Sequence, residues 1–242
     1  MQKKLTWPVS PTLFCITVLP ILILLVAAGL ILLPSTSRLI QYICVLGLSY
    51  FLGSIPWGYF VLQWYKGVDI RDYGSGRIGM SNVLRTSGRK GAVPVLLLDL
   101  SKGVTVVIVA RYILGAGYGE VFAGLMALAG HNWPIFLSFR GGRGIATGLG
   151  ALSVMAPVSA LIGAVVFIPV TLLTRYLSLG SILGVICASG SLIAMIFIGL
   201  YSLEYGIYGI AAGTIIIWQH RDNIKRLIEG TERRLGTPGT RI

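Results

Sequence analysis

The sequence has 242 residues, of which 55% are hydrophobic and only 12% are charged. Charged residues make up about a quarter of an average soluble domain, so this composition excludes a soluble globular fold. The formal net charge of +12 indicates basic loops at a membrane surface, because so apolar a chain does not suit a nucleic-acid-binding domain.

Eight apolar runs have the length and composition expected of helices that cross a bilayer, although several are short. They cover residues 11–34, 38–65, 92–113, 118–130, 144–156, 158–173, 180–200 and 203–218. The first run is too long for the apolar region of a signal peptide, so we predict a spanning helix there. Pro157 is the predicted hinge that divides residues 144–173 into two spans.

The distribution of basic residues predicts the orientation of these spans. If the N-terminus is cytoplasmic, the inner segments are 1–10, 66–91, 131–143, 174–179 and 219–242. They then contain every Lys and Arg except Arg38, Arg111 and Lys102, and Lys102 lies within a span. Such a bias supports both the number of spans and a cytoplasmic location for both termini.

A glycine-rich inner segment follows the second span and has no carboxylate from residue 73 to residue 98. Its glycines allow backbone amides to approach a ligand closely, and its hydroxyl, amide and guanidinium groups add donors for an anion. The candidate residues are Gly74, Ser75, Gly76, Arg77, Gly79, Ser81, Asn82 and Arg85. The segment does not match a nucleotide P-loop, and an ordinary interhelical loop is the alternative.

A second inner segment contains His131 and the run Gly141-Gly142-Arg143-Gly144, which opens directly into an apolar helix. Free amides at a helix N-terminus beside a cation bind phosphate readily. The alternatives are a tight turn with orienting charge and a structural histidine at the membrane interface.

Three smaller groups are also candidates for function. Asp99 and Lys102 share a helix face inside a span, where a structural ion pair is the alternative. Ser181 lies beside a short inner loop, where a helix cap is the alternative. His220 and Asn223 are one turn apart after the last span, where an amphipathic tail is the alternative.

The sequence lacks the patterns of several other kinds of site. Its two histidines, three cysteines within apolar runs and few carboxylates do not form a metal-binding pattern. No G-x-S-x-G nucleophile elbow occurs. We therefore predict no metal or cofactor, and a chemistry that depends on positioning and electrostatics.

Taken in order, these motifs resemble one enzyme family over about residues 45–230. They are Gly53-Ser54-Ile55-Pro56, GSGxxGxSN with Arg85, LLLDxxKG, GHxWPxF, FxGGRGxAT, SLGS and HxxN. The ordered set resembles the bacterial acyl-phosphate:glycerol-3-phosphate acyltransferases, the PlsY family.

The resemblance implies an all-α integral membrane protein with a seven-helix acyltransferase core at residues 38–230. Residues 1–37 would be an extra N-terminal transmembrane helix, and residues 231–242 a cytoplasmic tail. The enzyme would lie in the bacterial inner membrane, with its active site on the cytoplasmic side. It would transfer a fatty acyl group from acyl phosphate to the 1-hydroxyl of sn-glycerol 3-phosphate, without metal. Its partners would be these two substrates and the lipid bilayer, and no nucleic acid.

The resemblance also implies roles for individual residues. The predicted catalytic residues are Ser75, Ser81, Asn82, Arg85, Arg143, Ser181, His220 and Asn223. The predicted substrate- and phosphate-binding residues are Ser54, Gly74, Gly76, Gly79, Lys102, His131, Gly141, Gly142 and Gly144. No residue stands out as a general base, so a substrate phosphate would accept the hydroxyl proton.

The sequence departs from the family pattern at four positions. Arg77 replaces a usual Asn, Met80 a small residue, Ser81 a usual Thr and Arg143 a usual Lys. These departures bear on the exact substrate. Two alternatives stay open: a relative that acylates another phosphorylated alcohol, and a non-catalytic transporter of a phosphate ester.

Overall fold

The computed structural model describes residues 37–242, so nearly all of the predicted N-terminal helix lies outside the described residues. The described part is helical. Its ten α-helices are α1 Arg38–Ser54, α2 Trp57–Lys66, α3 Met80–Ser87, α4 Arg89–Leu114, α5 Tyr118–Asn132, α6 Ile145–Met155, α7 Pro157–Thr174, α8 Leu177–Phe197, α9 Tyr205–Gln219 and α10 Arg221–Ile228. Two short 3-10 helices cover Ile70–Asp72 and Ile135–Leu137.

Four apolar stretches of the described chain are long enough to cross a membrane: Arg38–Lys66, α4, α7 and α8. The apolar helix α6 is shorter. Large side chains such as Leu161 and Leu173 of α7 are 62% and 84% exposed, as expected of a surface that faces lipid. Every predicted span after residue 37 corresponds to helix, which confirms the all-α integral membrane fold.

Two prolines divide apolar runs in different ways. Pro157 begins α7, and Ala156 before it is non-helical with a ψ of 75°, so the predicted hinge is correct. The predicted span 38–65 differs from the structure, because α1 ends at Ser54 and α2 begins at Trp57. Pro56 disfavours helical backbone at Ile55, whose ψ is 117°, and this breaks the helix.

Glycines bring α4 and α6 into backbone contact. A Cβ atom at Gly103 would lie 2.1 Å from the Thr147 carbonyl oxygen, and one at Gly150 would lie 2.1 Å from the Leu100 carbonyl oxygen. Small residues allow this close packing of membrane helices. The start of α6, which follows the second glycine-rich segment, is thereby fixed against α4.

Polar contacts join the predicted inner segments at one end of the bundle. Arg77 donates to the Gly142 carbonyl oxygen and to Gln219 Oε1. The C-terminal segment folds back over the same end, where the Gly239 amide donates to the Arg85 carbonyl oxygen at 2.9 Å. Its Thr240 carbonyl oxygen accepts from the Gly74 amide, also at 2.9 Å.

Candidate active site

The helices of the bundle surround a partly open cavity of about 390 Å³ that has one polar end and long apolar walls. The polar end is formed by Arg77, Ser81, Arg85, Arg143, Ser181 and His220. The walls come mainly from α6, α7, α8 and α9. On α9 the lining runs from Ile216 back to Tyr208, a rise of about 12 Å.

The first glycine-rich segment is held in shape by Asn82. Its Nδ2 donates to the Tyr73 and Arg77 carbonyl oxygens, both at 2.9 Å, and its Oδ1 accepts from the Ser75 amide at 3.0 Å. Gly74 has a φ of 57°, which glycine adopts without strain. The side chain of Asn82 therefore organises the loop, which leads directly into Ser81 and Arg85 at the cavity.

The second segment folds onto the end of α5. The Gly141 and Gly142 amides donate to the Asn132 and His131 carbonyl oxygens at 3.1 and 3.0 Å. Gly142 has no room for a side chain, because a Cβ atom there would lie 2.0 Å from His131 Nε2. Among the described residues no side chain caps the N-terminus of α6 at Gly144, so its first-turn amides have no side-chain acceptor. Gly144, Ile145 and Ala146 of this turn line the cavity.

Beneath this loop lies a buried polar cluster in which His131 meets α4. Lys102 Nζ lies 2.8 Å from Asp99 Oδ1 and donates to the Gly53 carbonyl oxygen at 3.2 Å. His131 Nδ1 lies 3.5 Å from the same Asp99 oxygen. Asp99 and His131 line the cavity, whereas Lys102 is engaged by its neighbours. The hydroxyl of Ser54 is likewise engaged, by the Tyr50 carbonyl oxygen of its own helix.

The arginines at the polar end are charged and incompletely paired. The Nε atoms of Arg85 and Arg143 are buried without a hydrogen-bond partner among the described residues. Burial, with repulsion from Arg77 and Arg226, lowers the pKa of Arg143 to about 9, so its guanidinium stays charged at neutral pH. Burial also lowers the pKa of Arg85. An anion with several oxygen acceptors would satisfy these donors.

His220 is neutral beside these arginines. Burial and the charge of Arg143 lower its pKa to about 4. Its Nδ1 lies 2.8 Å from the Ile216 carbonyl oxygen, which can only accept, so Nδ1 carries the proton. Nε2 is then left as an acceptor for a hydroxyl group.

Sequence reasoning missed Glu232, whose side chain is 1% exposed. Its Oε1 accepts from Ser178 Oγ at 3.0 Å and from Asn223 Nδ2 at 2.8 Å, and its Oε2 accepts from Arg226 Nε at 2.7 Å. Asn223 therefore lies one turn from His220 but contacts Glu232, outside the residues that line the cavity. The available signal was an acidic residue within a strongly basic terminal segment.

The remaining predicted residues lie close to the polar end. Gly79 and Gly144 line the cavity with Ser81. Gly76 and Gly141 line a neighbouring pocket. Ser75 Oγ is buried without a partner among the described residues. Within the described residues no cluster of His, Cys, Asp or Glu has the arrangement needed for a metal ion.

The protein is a multi-pass helical membrane protein, and its cavity joins an arginine-lined polar end to apolar walls. Such a cavity is suited to an amphiphile with an anionic head group. Residues 42–230 match the family model described as glycerol-3-phosphate acyltransferase. The chain belongs to this family.

Named relatives and solved structures agree with this assignment. "Glycerol-3-phosphate acyltransferase 3" of Dehalococcoides mccartyi is 45% identical over 207 residues, which cover 81% of this chain and 96% of the relative. The glycerol-3-phosphate acyltransferase of Thermoanaerobacter sp. is 42% identical over 189 residues, covering 78% and 93%. A crystal structure of the integral membrane acyltransferase PlsY in its glycerol 3-phosphate form has a TM-score of 0.74 at 37% identity, covering 81% of this chain and 96% of that one. Its lysophosphatidic acid form has a TM-score of 0.73 at 36% identity.

Proposed function

We propose that this protein transfers a fatty acyl group from acyl phosphate to the 1-hydroxyl of sn-glycerol 3-phosphate. The products are 1-acylglycerol 3-phosphate and inorganic phosphate. The proposal rests on one observation: the arginine-rich polar end and the apolar walls belong to the same cavity. This cavity suits a phosphate that is joined to a long acyl chain. The names of the relatives and the two PlsY forms support glycerol 3-phosphate as acceptor and lysophosphatidic acid as product.

The proposed phosphate contacts come from both glycine-rich segments. Arg85 and Arg143 supply charge-assisted hydrogen bonds, Ser81 a hydroxyl, and the N-terminus of α6 its amides. Asn82 acts by holding the first loop, and Glu232 by holding Asn223 and Arg226. The acyl chain lies along the apolar walls between α6, α7, α8 and α9.

The chemistry needs no protein nucleophile because acyl phosphate is already activated. The acceptor 1-hydroxyl oxygen bonds to the acyl carbon, and the bond between that carbon and the phosphate oxygen breaks. The hydroxyl proton passes to the departing phosphate. Neutral His220, with Nε2 as an acceptor, orients the acceptor's hydroxyl groups, and Ser181 lies at the same end of the cavity. Positioning and stabilisation of phosphate charge supply the rate enhancement.

We propose that the protein lies in the inner membrane of a bacterium, with the polar end of its cavity on the cytoplasmic side. The support is that, within residues 37–242, every Lys and Arg except Arg38, Lys102 and Arg111 lies in the predicted inner segments, which contribute to this polar end. In this proposal residues 38–230 form the catalytic domain. Residues 1–37 are an additional membrane helix, and residues 231–242 are a tail on the cytoplasmic side.

The test uses purified protein with palmitoyl phosphate, measuring phosphate release with and without glycerol 3-phosphate and the lipid product by mass spectrometry. We expect release that depends on the acceptor, persists in EDTA and does not occur with acyl-CoA as donor. Uptake of glycerol 3-phosphate into proteoliposomes without acyl transfer would contradict the proposal and favour a transporter.

A further inference from the structure

A second pocket, of about 320 Å³, shares Arg77 with the reaction cavity. Its lining includes Arg77, Asn132, Trp133, Arg140, Trp218 and Arg221. Of these six residues only Arg77 also lines the reaction cavity. The proposed acyl transfer does not use the other five.

The charge of this pocket is strongly positive. The side chain of Arg140 makes no hydrogen bond or ion pair with the residues that the structure describes, and Arg221 stacks 4.3 Å from the ring centre of Trp218. The carboxylate nearest to Arg77 is that of Asp222, at 3.9 Å. Three guanidinium groups line the pocket and no carboxylate is among its described lining residues, which leaves an excess of donors and positive charge, the composition of a phosphate site.

An unpaired amide adds a second observation. Asn132 is 2% exposed, and both its Nδ2 and its Oδ1 are buried without a partner among the described residues. Buried polar groups are nearly always hydrogen-bonded, and one that is not destabilises the protein. Asn132 also links the second pocket to the reaction cavity, because a Cβ atom at Gly144 would lie 2.8 Å from its Oδ1.

The rim of the pocket is aromatic. Trp133 and Trp218 have ring centres 6.0 Å apart, and Trp218 and Phe139 are 51% and 56% exposed. Tryptophan together with basic residues is typical of the membrane interface, where basic pockets between helices bind lipid head groups.

We propose that this second pocket binds a phosphate-bearing ligand and couples its occupancy to the reaction cavity through Arg77. The Arg77 guanidinium contacts the Gly142 carbonyl oxygen at 3.2 Å and Gln219 Oε1 at 3.0 Å. A phosphate that draws Arg77 toward the second pocket therefore acts on the phosphate loop of the first. By linkage, occupancy of either site changes the affinity of the other by the same factor. The phosphate belongs either to an anionic lipid of the surrounding leaflet or to a soluble phosphate ester.

The binding test does not depend on turnover, so it can fail or succeed independently of the proposed acyl transfer. Purified protein is placed in phosphatidylcholine nanodiscs with or without dioleoyl phosphatidic acid, and retained lipid is counted by native mass spectrometry. A parallel arm titrates inorganic phosphate without anionic lipid. The variants are Arg140→Gln, Arg221→Gln and the double variant, with Lys90→Gln as a matched control on an exposed residue of α4.

We expect the double variant to weaken phosphate binding at least tenfold, each single variant to show part of that loss, and Lys90→Gln to bind as the unchanged protein does. Retention of phosphatidic acid identifies a lipid source, and saturation by inorganic phosphate alone identifies a soluble one. The singles keep the test decisive if the double variant misfolds, because Arg140 is exposed and its side chain has no partner in the described chain. Equal affinity in the unchanged and Arg140→Gln proteins, or no saturable binding of either probe by the unchanged protein, overturns the proposal.

Discussion

At the scale of residues, the sequence predicted which segments form the polar end of the cavity. It did not predict which polar side chains point into that cavity and which bond to the protein. Arg85 and Arg143 of the two glycine-rich segments and His220 after the last span line one cavity. Asn82, Lys102 and Ser54 are instead engaged by carbonyl or carboxylate oxygens of the protein. Which of two roles a polar side chain takes depends on neighbours that are distant along the chain, and the sequence alone does not show them.

Arg143 supports the sharpest substitution test. We expect Arg143→Ala to lower kcat/KM about 10- to 150-fold, since a charge-assisted bond contributes about 1.5–3 kcal/mol. Arg143→Lys keeps the charge and should retain more activity than the alanine variant. The measurement is steady-state kinetics per mole of folded enzyme, with Lys90→Gln as control. If Arg143→Ala matches that control, the guanidinium does not hold phosphate.

His220 gives a test of pH dependence. Its pKa in the folded protein is about 4, below the usual value of 6.5, so the folded state disfavours its protonation. The unfolded chain binds the proton first, so stability is fully present above pH 6.5 and decreases as the pH falls toward 4. We expect melting temperatures measured from pH 7.5 to pH 4 to fall less steeply for His220→Gln than for the unchanged protein. Parallel curves would contradict the buried neutral histidine.

At the scale of elements, hydropathy located the spans well because the bilayer requires a minimum apolar length. The break at Pro157 was also predicted, because dividing residues 144–173 into two spans keeps the basic terminal segment on the same side as the other basic segments. The break at Pro56 and the contact of residues 239–242 with the first loop were not predicted. Pro56 lies within an uninterrupted apolar run, so hydropathy does not show the break there. The hydrogen bond between Gly74 and Thr240 joins two irregular segments, and such segments have no periodic sequence pattern from which the contact could be predicted.

The contact between α4 and α6 depends on glycine. We expect Gly150→Leu to lower the melting temperature and the activity together, because its Cβ alone would overlap the Leu100 carbonyl oxygen. The control is Gly190→Leu on α8, where a Cβ meets nothing within 4 Å. Thermal unfolding of both variants in detergent checks this, and equal melting temperatures would show that the helices tolerate separation.

The terminal segment is expected to support the first phosphate loop. Removing residues 236–242 removes the Gly239 and Ile242 amides and the Thr240 carbonyl oxygen, so Arg85, Asp72 and Gly74 each lose one backbone hydrogen bond. We expect KM for glycerol 3-phosphate to rise severalfold with a smaller change in kcat. Arg234→Gln, which changes an exposed residue of the same segment, is the matched control. An unchanged KM in the shortened protein would remove this role.

At the scale of the whole molecule, the two basic residues predicted to face outward are bound to helix ends. Arg38 donates to the Ile113 and Leu114 carbonyl oxygens at the end of α4, and Arg111 donates to Val154 at the end of α6. Arg111 also pairs with buried Glu120, which accepts from Tyr205. Arg38 and Arg111 stabilise the free carbonyl groups at these helix ends. This role explains why the two arginines lie on the outer side although most basic residues are predicted to lie on the cytoplasmic side.

Orientation is testable with single cysteines in a background that lacks the three native ones. We expect Lys90→Cys, Arg140→Cys and Lys225→Cys to react with an impermeant thiol reagent only from the cytoplasmic side. Gly115→Cys and Leu203→Cys should react only from the opposite side. All five positions are exposed in the structure, so a failure to label does not reflect burial. Labelling of Arg140→Cys from outside would reverse the proposed topology.

The chain terminus has a practical consequence for how this protein is handled. The Ile242 amide donates to the Asp72 carbonyl oxygen at 2.9 Å, directly beside the loop that carries Ser75. An affinity tag, fluorescent reporter or immobilisation anchor attached at Ile242 would act directly on the first glycine-rich segment. An insertion at an exposed turn such as that around Gly115 leaves this edge untouched, so apparent substrate affinities measured with the two kinds of fusion should differ.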